Sequence, residues 1–443
     1  MTPLAMLLVC SPAFADEGSD WPQWRGPNGT GETAAVAPVT TWDRETNVRW
    51  RTPLPEAGNS TPIVYGDAVF LTQPESEENR RSLLCLDLET GEERWRRGAA
   101  YDAKEPTHRT NPYCSASPVA DEERVIAWFG SAGLICWDHA GEELWRRDLG
   151  KQTHQWGYGS SPILYGDLCI LNFGPGAREF LLAVDKRTGE TVWRVNALVD
   201  DEERALSGPE NDGGANDFGR NDDRAERLRG SWSVPVLAEI PRPDGQPKDQ
   251  LILTLPRRVA SFDPASGERL WVCGGGAPLA YASPMIVGET VVALGGYRGA
   301  ALAVNATGEG NVTATKRLWQ TPKGGGWLGT GVTVDGTVYV ADMGGTLHAL
   351  DAETGETLWR TRTAGSTWSS VTRGGADRLF LLSKEGATTV FAPNKERFEE
   401  IAVNRLAEST NASVVIARNT LLLRTDEALW AIGRPDDSTA GAQ

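Results

Sequence analysis

The sequence has little of what catalytic and metal sites usually need. It contains only four histidines, none spaced as a metal-binding pair. Its six cysteines include no C-x-x-C, no adjacent pair and no C-x-x-C-H, so redox motifs and a fused haem are absent. Cys85 and Cys136 stand two residues before an aspartate and read as buried strand residues. There is no G-x-S-x-G, no P-loop and no H-E-x-x-H. After the first few residues no apolar run approaches the ~18 residues that span a bilayer. Basic charge is also short: the net charge is -16, which repels phosphate backbones and anionic lipid. Nucleic acid is therefore not an expected partner, and the chain is expected to be peripheral to a membrane at most.

Glycine and tryptophan are abundant, at 49 and 17 residues, a balance that points to short strands and tight turns. One pattern recurs: an aspartate, a short turn ending in glycine, then a tryptophan four residues later. It runs Asp87, Gly91, Trp95; Asp138, Gly141, Trp145; Asp185, Gly189, Trp193; Asp263, Gly267, Trp271; and Asp351, Gly355, Trp359, with Asn305 and Trp319 as a copy with an enlarged turn. The tryptophans are separated by 50, 48, 78, 48 and 40 residues, a period of propeller blades. The flanks alternate with period two, as in Thr337–Ala341, which excludes helical repeats. The aspartate fixes an Asx-type turn, the glycine supplies positive φ, and the tryptophan opens the last strand with a ring that wedges between blades. A Ser-Pro or Ser-x-Pro step opens each first strand, at Ser60, Ser117, Ser161, Ser233 and Ser283.

The expected fold is all-β: an eight-bladed β-propeller with tryptophan docking motifs, seven blades being the fallback. A seventh blade covers about 370–401. An eighth begins at Ser413 and lacks a fourth strand, which Asn47–Arg51 near the N-terminus is expected to supply. The expected organisation is a signal peptide at 1–15 ending in Ala13-Phe14-Ala15, an extension at 16–47, a propeller at 48–434 with an acidic insertion at about 197–230, and a disordered tail at 435–443. For the first segment a buried N-terminal strand is the alternative. The insertion reads as a solvated loop, with a partner-binding or Ca²⁺ role as the other reading.

These repeats resemble the quinoprotein-type, eight-bladed propellers known as pyrroloquinoline-quinone-like repeat proteins, and within them the outer-membrane assembly factor BamB family. The resemblance rests on copies such as Leu350–Trp359 and covers roughly residues 48–434. It implies an exported, periplasmic or outer-membrane-associated protein that binds or scaffolds a protein or peptide partner without catalysis or cofactor, as a monomer. Trp21-Pro-Gln-Trp-Arg-Gly-Pro-Asn-Gly29 also resembles the N-terminal stretch of exported propellers of this type. A quinone- or Ca²⁺-dependent oxidoreductase is the alternative; the alcohol-oxidising members carry an adjacent Cys-Cys pair that this chain lacks. A carbohydrate-binding or hydrolytic propeller is a third reading.

Residues just before each first strand are expected near one mouth of the central channel. They are rich in aromatics: Tyr113, Trp156, Tyr158, Trp232, Tyr281, Trp327 and Trp368. Such rings suit peptides, strands or sugars, or plug the channel and pack between blades. Asn111, His154 and Gln155 are polar neighbours that could orient a ligand.

Overall fold

A computed structural model describes residues 20–176, 178–196, 230–241, 246–296, 299–321 and 325–434. The expected signal peptide, most of the acidic insertion and the C-terminal tail lie outside these residues. Eight antiparallel sheets follow one another along the chain. The first seven span residues 63–100, 119–147, 163–196, 236–274, 285–321, 332–362 and 372–405. The eighth is made by Val415–Ala417, Thr420–Arg424 and Ala428–Ile432, with Val48–Pro53 as its outer strand, antiparallel to Ala428–Ile432. Val48–Pro53, from near the start of the described chain, thus completes the last sheet, and the ring is closed by the pairing of its two ends. Among the described residues, no helix is long and apolar enough to cross a membrane.

Each blade alone would leave both faces of its sheet wet, so the blades pack face to face. The core is a series of apolar clusters, each shared by two neighbouring blades, such as Val119, Ile126, Cys136 and Tyr158 with Cys169, Leu171 and Val184. The tryptophans of the repeat bridge these seams. Trp50, Trp95, Trp145, Trp193, Trp319 and Trp359 each donate from the indole Nε1 to a carbonyl in the turn of the following blade, at 2.7–3.1 Å. The glycine of that turn lies under the incoming ring: Gly91 under Trp50, Gly141 under Trp95, Gly189 under Trp145, Gly267 under Trp193 and Gly355 under Trp319. The glycine therefore has two duties, a positive φ and the absence of a Cβ where the indole lands. Asp87 Oδ1 accepts from the Glu89 and Thr90 N–H groups, and Asp185, Asp263 and Asp351 repeat this turn.

Three details depart from the simple repeat. A β-bulge interrupts the outer hairpin of each blade next to the docking position, as between Glu143 and Trp145. The bulge re-aims the ring into the seam and leaves the preceding side chain outside. That accounts for the exposed Leu144, Val192, Leu318 and Leu358. Second, the enlarged turn after Asn305 takes no direct indole hydrogen bond; Gln250 Nε2 carries the contact to its Ala306 carbonyl at 3.3 Å. Its Gly310–Asn311 strand adds to the edge of the fourth blade, beside Trp271, whose Nε1 donates instead to Gln250 Oε1 at 2.7 Å within its own blade. Third, the seventh outer strand has no tryptophan; Ala402 pairs with Val390 where the bulge begins. The vacancy is filled from the N-terminal extension by Trp42, buried in the cluster that joins blades seven and eight, with its backbone N–H on Asn404 Oδ1 at 2.8 Å.

A belt of hydroxyls encircles the channel inside the tryptophan ring. Ser117 N donates to Ser161 Oγ, Val234 N to Ser283 Oγ, Ser283 N to Thr330 Oγ1, Thr330 N to Ser370 Oγ, Ser370 N to Ser413 Oγ and Ser413 N to Thr61 Oγ1, at 2.9–3.2 Å. The two remaining seams are joined by Thr72 Oγ1 to the Ala116 carbonyl and Ser160 Oγ to the Ser233 carbonyl. The serines that open the first strands are thus seam residues as well as strand starts.

Candidate functional site

The N-terminal segment closes one end of the channel. Trp21 exchanges two backbone hydrogen bonds with Val64 of the first blade, and the Pro22 carbonyl accepts from Ala120 of the second. Trp24 packs on the cluster of the third and fourth blades that holds Ile163 and Val234. Arg25, only 3% exposed, reaches across to the Thr330 and Val371 carbonyls, both at 3.2 Å, and to the Gly331 carbonyl. Glu32–Thr33 then runs parallel to Arg373–Gly374 on the seventh blade. The motif Trp21–Gly29 is therefore a crossing strap. Its Gly26 lies on the Trp21 ring, and burial pushes the Arg25 guanidinium down to about 9.

Above this strap lies a cup of about 480 Å³, with Trp24 at its base. All eight blades line it, and in each the same position does so: two residues before the belt. Around the ring these side chains are Asn59, Ser115, Gly159, Trp232, Tyr281, Leu328, Trp368 and Asn411. Backbone alternation sends this position inward and the next toward the seam. Trp156, Asn111, His108, Thr110, Val234 and Met343 complete the wall.

The predicted aromatics therefore divide by register. Trp156, Trp232, Tyr281 and Trp368 line the cup. Tyr158 and Trp327, three residues before the belt, are 2% and 5% exposed and pack against Trp128 and His348. Burial raises the Tyr158 phenol far above its ordinary value. Tyr113 donates to the Glu105 carbonyl at 2.8 Å, with the Arg81 guanidinium 4.3 Å above its ring. Of the polar neighbours, Asn111 faces the cup, His154 is buried edge-on behind Trp232 at 4.9 Å, and Gln155 is exposed and does not line the cavity. Asn59 and Asn411 were not anticipated; their signal was the fixed two-residue offset from the belt, masked by attention to aromatics alone.

The cup has two unlike halves. Blades three to five give an aromatic arc, with Trp156 and Trp232 at 6.1 Å and Trp232 and Tyr281 at 5.0 Å between centroids. Gly159 lies beneath it, where a Cβ would stand in ordinary contact, 3.4 Å from the Trp232 ring. Blades eight, one and two give an amide arc whose orientation is fixed by carbonyls. Asn111 Nδ2 donates to the Trp156 and Tyr158 carbonyls at 2.7 and 3.0 Å, and Asn59 Nδ2 to the Thr110 carbonyl at 3.0 Å. Asn59 Oδ1 then faces Asn411 and accepts from its Nδ2 at 3.3 Å. Asn411 Oδ1 is left buried without a hydrogen-bond partner among the described residues.

Among the described lining residues there is no Asp, Glu, Lys, Arg or Cys. The Lys384 ammonium sits 4.4 Å from the Trp368 ring centroid, outside the lining. Among the described residues no three His, Cys, Asp or Glu side chains gather to hold a metal. The five described cysteines are buried and unpaired in disulfides, with Cys85, Cys114, Cys136 and Cys273 pushed up to about 12 by burial, far from a reactive thiolate.

The family model described as outer membrane protein assembly factor BamB matches residues 26–113, 79–211 and 257–425. The chain belongs to the BamB family. Among solved structures, BamB from Moraxella catarrhalis superposes with a TM-score of 0.54 at 18% identity, over 81% of this chain and all of that one. A quinohemoprotein alcohol dehydrogenase from Comamonas testosteroni gives 0.54 at 13% identity, over 95% and 82%. The computationally designed Ika8 protein gives 0.51 at 13%, over 86% and 100%. At these identities the likeness is one of fold, shared by an assembly factor, an enzyme and a designed ring. No curated protein matches the chain by sequence. The alcohol dehydrogenase raises the question of a quinone. Pyrroloquinoline quinone is a tricarboxylate, and three carboxylates need cations; the described lining of this BamB-family cup offers no Lys or Arg and one imidazole, His108, and does not fit it.

Proposed function

We propose that this BamB-family protein is a non-enzymatic binding and scaffolding propeller of the cell envelope, working at the periplasmic face of the outer membrane with a protein or peptide partner. The observation that carries the non-enzymatic part of this reading is the cup; the family match supports the protein partner. The cup is walled by aromatic rings and amides; its described lining has no carboxylate, ammonium or thiol, and its one imidazole, His108, is hydrogen-bonded through Nδ1 to Thr110 Oγ1 at 2.7 Å. Rigid aromatic faces on a closed scaffold are well suited to binding, since little side-chain freedom is lost on contact. The family match supports the envelope setting.

The test is in-cell crosslinking from a photoreactive residue placed at the exposed Arg109, beside the cup wall, followed by mass spectrometry. Recovery of an outer-membrane assembly component is expected. Dye-coupled alcohol oxidation by the purified protein after addition of pyrroloquinoline quinone and Ca²⁺ would overturn the reading.

A further inference from the structure

The cup has more chemical detail than a generic docking face needs. Blade order sets Trp232 of the fourth blade across the channel from Asn411 of the eighth, and Tyr281 of the fifth across from Asn59 of the first. Large flat rings thus oppose a row of amides. Asn59 and Asn111 are fixed in orientation by backbone carbonyls, and Asn411 by Asn59 Oδ1, so what the amide row has left to offer is acceptor capacity. Apart from the His108 imidazole, the described lining carries no ionisable side chain to meet a carboxylate, phosphate or ammonium.

A strap crosses the base at Trp24, so an extended chain cannot pass through; only the end of something enters. A peptide end brings a free ammonium or carboxylate, and the described lining offers these only the amide row and the His108 imidazole. What fits is an uncharged ring with an apolar face for the indole and hydroxyl donors around its edge. The volume of about 480 Å³ lies within the range of small-ligand sites.

We propose that the cup binds the terminal unit of a neutral carbohydrate, its ring face on Trp232 and its hydroxyls over the amide row of Asn59, Asn111 and Asn411. This rests on the reading of the cup as a binding site without chemistry and names its ligand class. A sugar held there leaves the outer surfaces free for a protein partner, so the two readings can fail separately.

The test screens the purified full chain on an array of neutral and uronic-acid glycans and measures the strongest neutral hit by calorimetry. A neutral glycan is expected to bind, with intrinsic tryptophan fluorescence shifted on saturation. Trp232→Ala and, independently, Asn411→Leu should each weaken it at least tenfold, with thermal melting used to show that both variants are folded. The proposal is overturned if no neutral glycan binds, if uronic acids bind as well as neutral sugars, or if both folded variants keep wild-type affinity. Crosslinking from Arg109 that survives such a result would leave the scaffold reading standing and remove only the sugar.

Discussion

Trp50 and Gly91 meet across the seam between the last blade and the first: the indole lies over the glycine, and a Cβ at Gly91 would stand 2.5 Å from the ring. Gly91 also has φ of +73°. Gly66 has a similar φ of +60° with nothing within 4 Å of its notional Cβ. The two glycines therefore separate backbone strain from loss of docking. Gly66→Ala should cost ~1 kcal/mol, the left-handed penalty alone. Gly91→Ala should cost ~3 kcal/mol, since overpacking adds to it. Chemical denaturation of the two variants checks the difference; equal losses would mean that the ring does not rest on the glycine.

Trp42 makes a second case. It comes from outside the repeats, yet it is 4% exposed in the cluster of blades seven and eight, beside Ala402. Trp42→Ala should cost ~3–5 kcal/mol as a core truncation. Val36→Ala in the same extension, at a side chain 56% exposed, should change stability by less than ~0.5 kcal/mol. Denaturation midpoints decide it: a small loss for Trp42→Ala would show that the extension is not part of the ring.

Much of the fold was legible because the repeat has a local cause. The aspartate, glycine and tryptophan act within nine residues of each other, and each is chemically costly to replace, so the pattern survives to be read. The eight blades and the outer strand at Trp50 follow from it. The site was less legible. The rule that places a side chain in the cup is a two-residue offset from a hydroxyl belt, and the side chain at that offset varies from asparagine to glycine to tryptophan. Reading aromatics at loose spacing found Trp232, Tyr281 and Trp368 but also Tyr158 and Trp327, which alternation turns into the seams. Asn59 and Asn411, which orient each other across the first and last blades, meet only after the ring closes 352 residues later.

Acid should unfold the protein in two stages. Burial of His348 against Trp327 lowers its pKa, with Asp342 opposing and Arg360 adding to the shift. A histidine with a depressed folded value takes a proton more readily when unfolded, so its contribution is full above about 6.5 and is lost as pH falls from there toward the depressed value. Burial raises the turn carboxylates Asp87, Asp185 and Asp263. Arg94 with the Thr90 N–H, the Thr188 N–H, and Lys248 with the Ala265 N–H outweigh it and hold them low. Their contribution is present above about 4 and is lost below it. Melting temperature measured from pH 8 to pH 3 should fall in two limbs, and His348→Gln should remove the upper one. A His348→Gln curve identical in shape to wild type would refute the assignment.

Arg25 holds the floor of the cup through backbone carbonyls. Its guanidinium donates to carbonyls of two blades, Thr330 and Gly331 on the sixth and Val371 on the seventh, and to the Thr30 carbonyl within the strap. A planar fork satisfies several divergent carbonyls at once, which an ammonium cannot do from one point. Arg25→Met leaves these buried acceptors unpaired and should cost ~3 kcal/mol. Arg25→Lys should recover only part of it. Because Trp24 and the blades are joined through this strap, the loss should be local before it is global. Subtilisin is expected to cut Arg25→Met first between residues 26 and 41, with the blades still intact, and the cup to lose its base. Wild-type resistance of the strap in Arg25→Met would mean that Trp21 and Trp24 hold the floor unaided and that the guanidinium serves only the seam between the sixth and seventh blades.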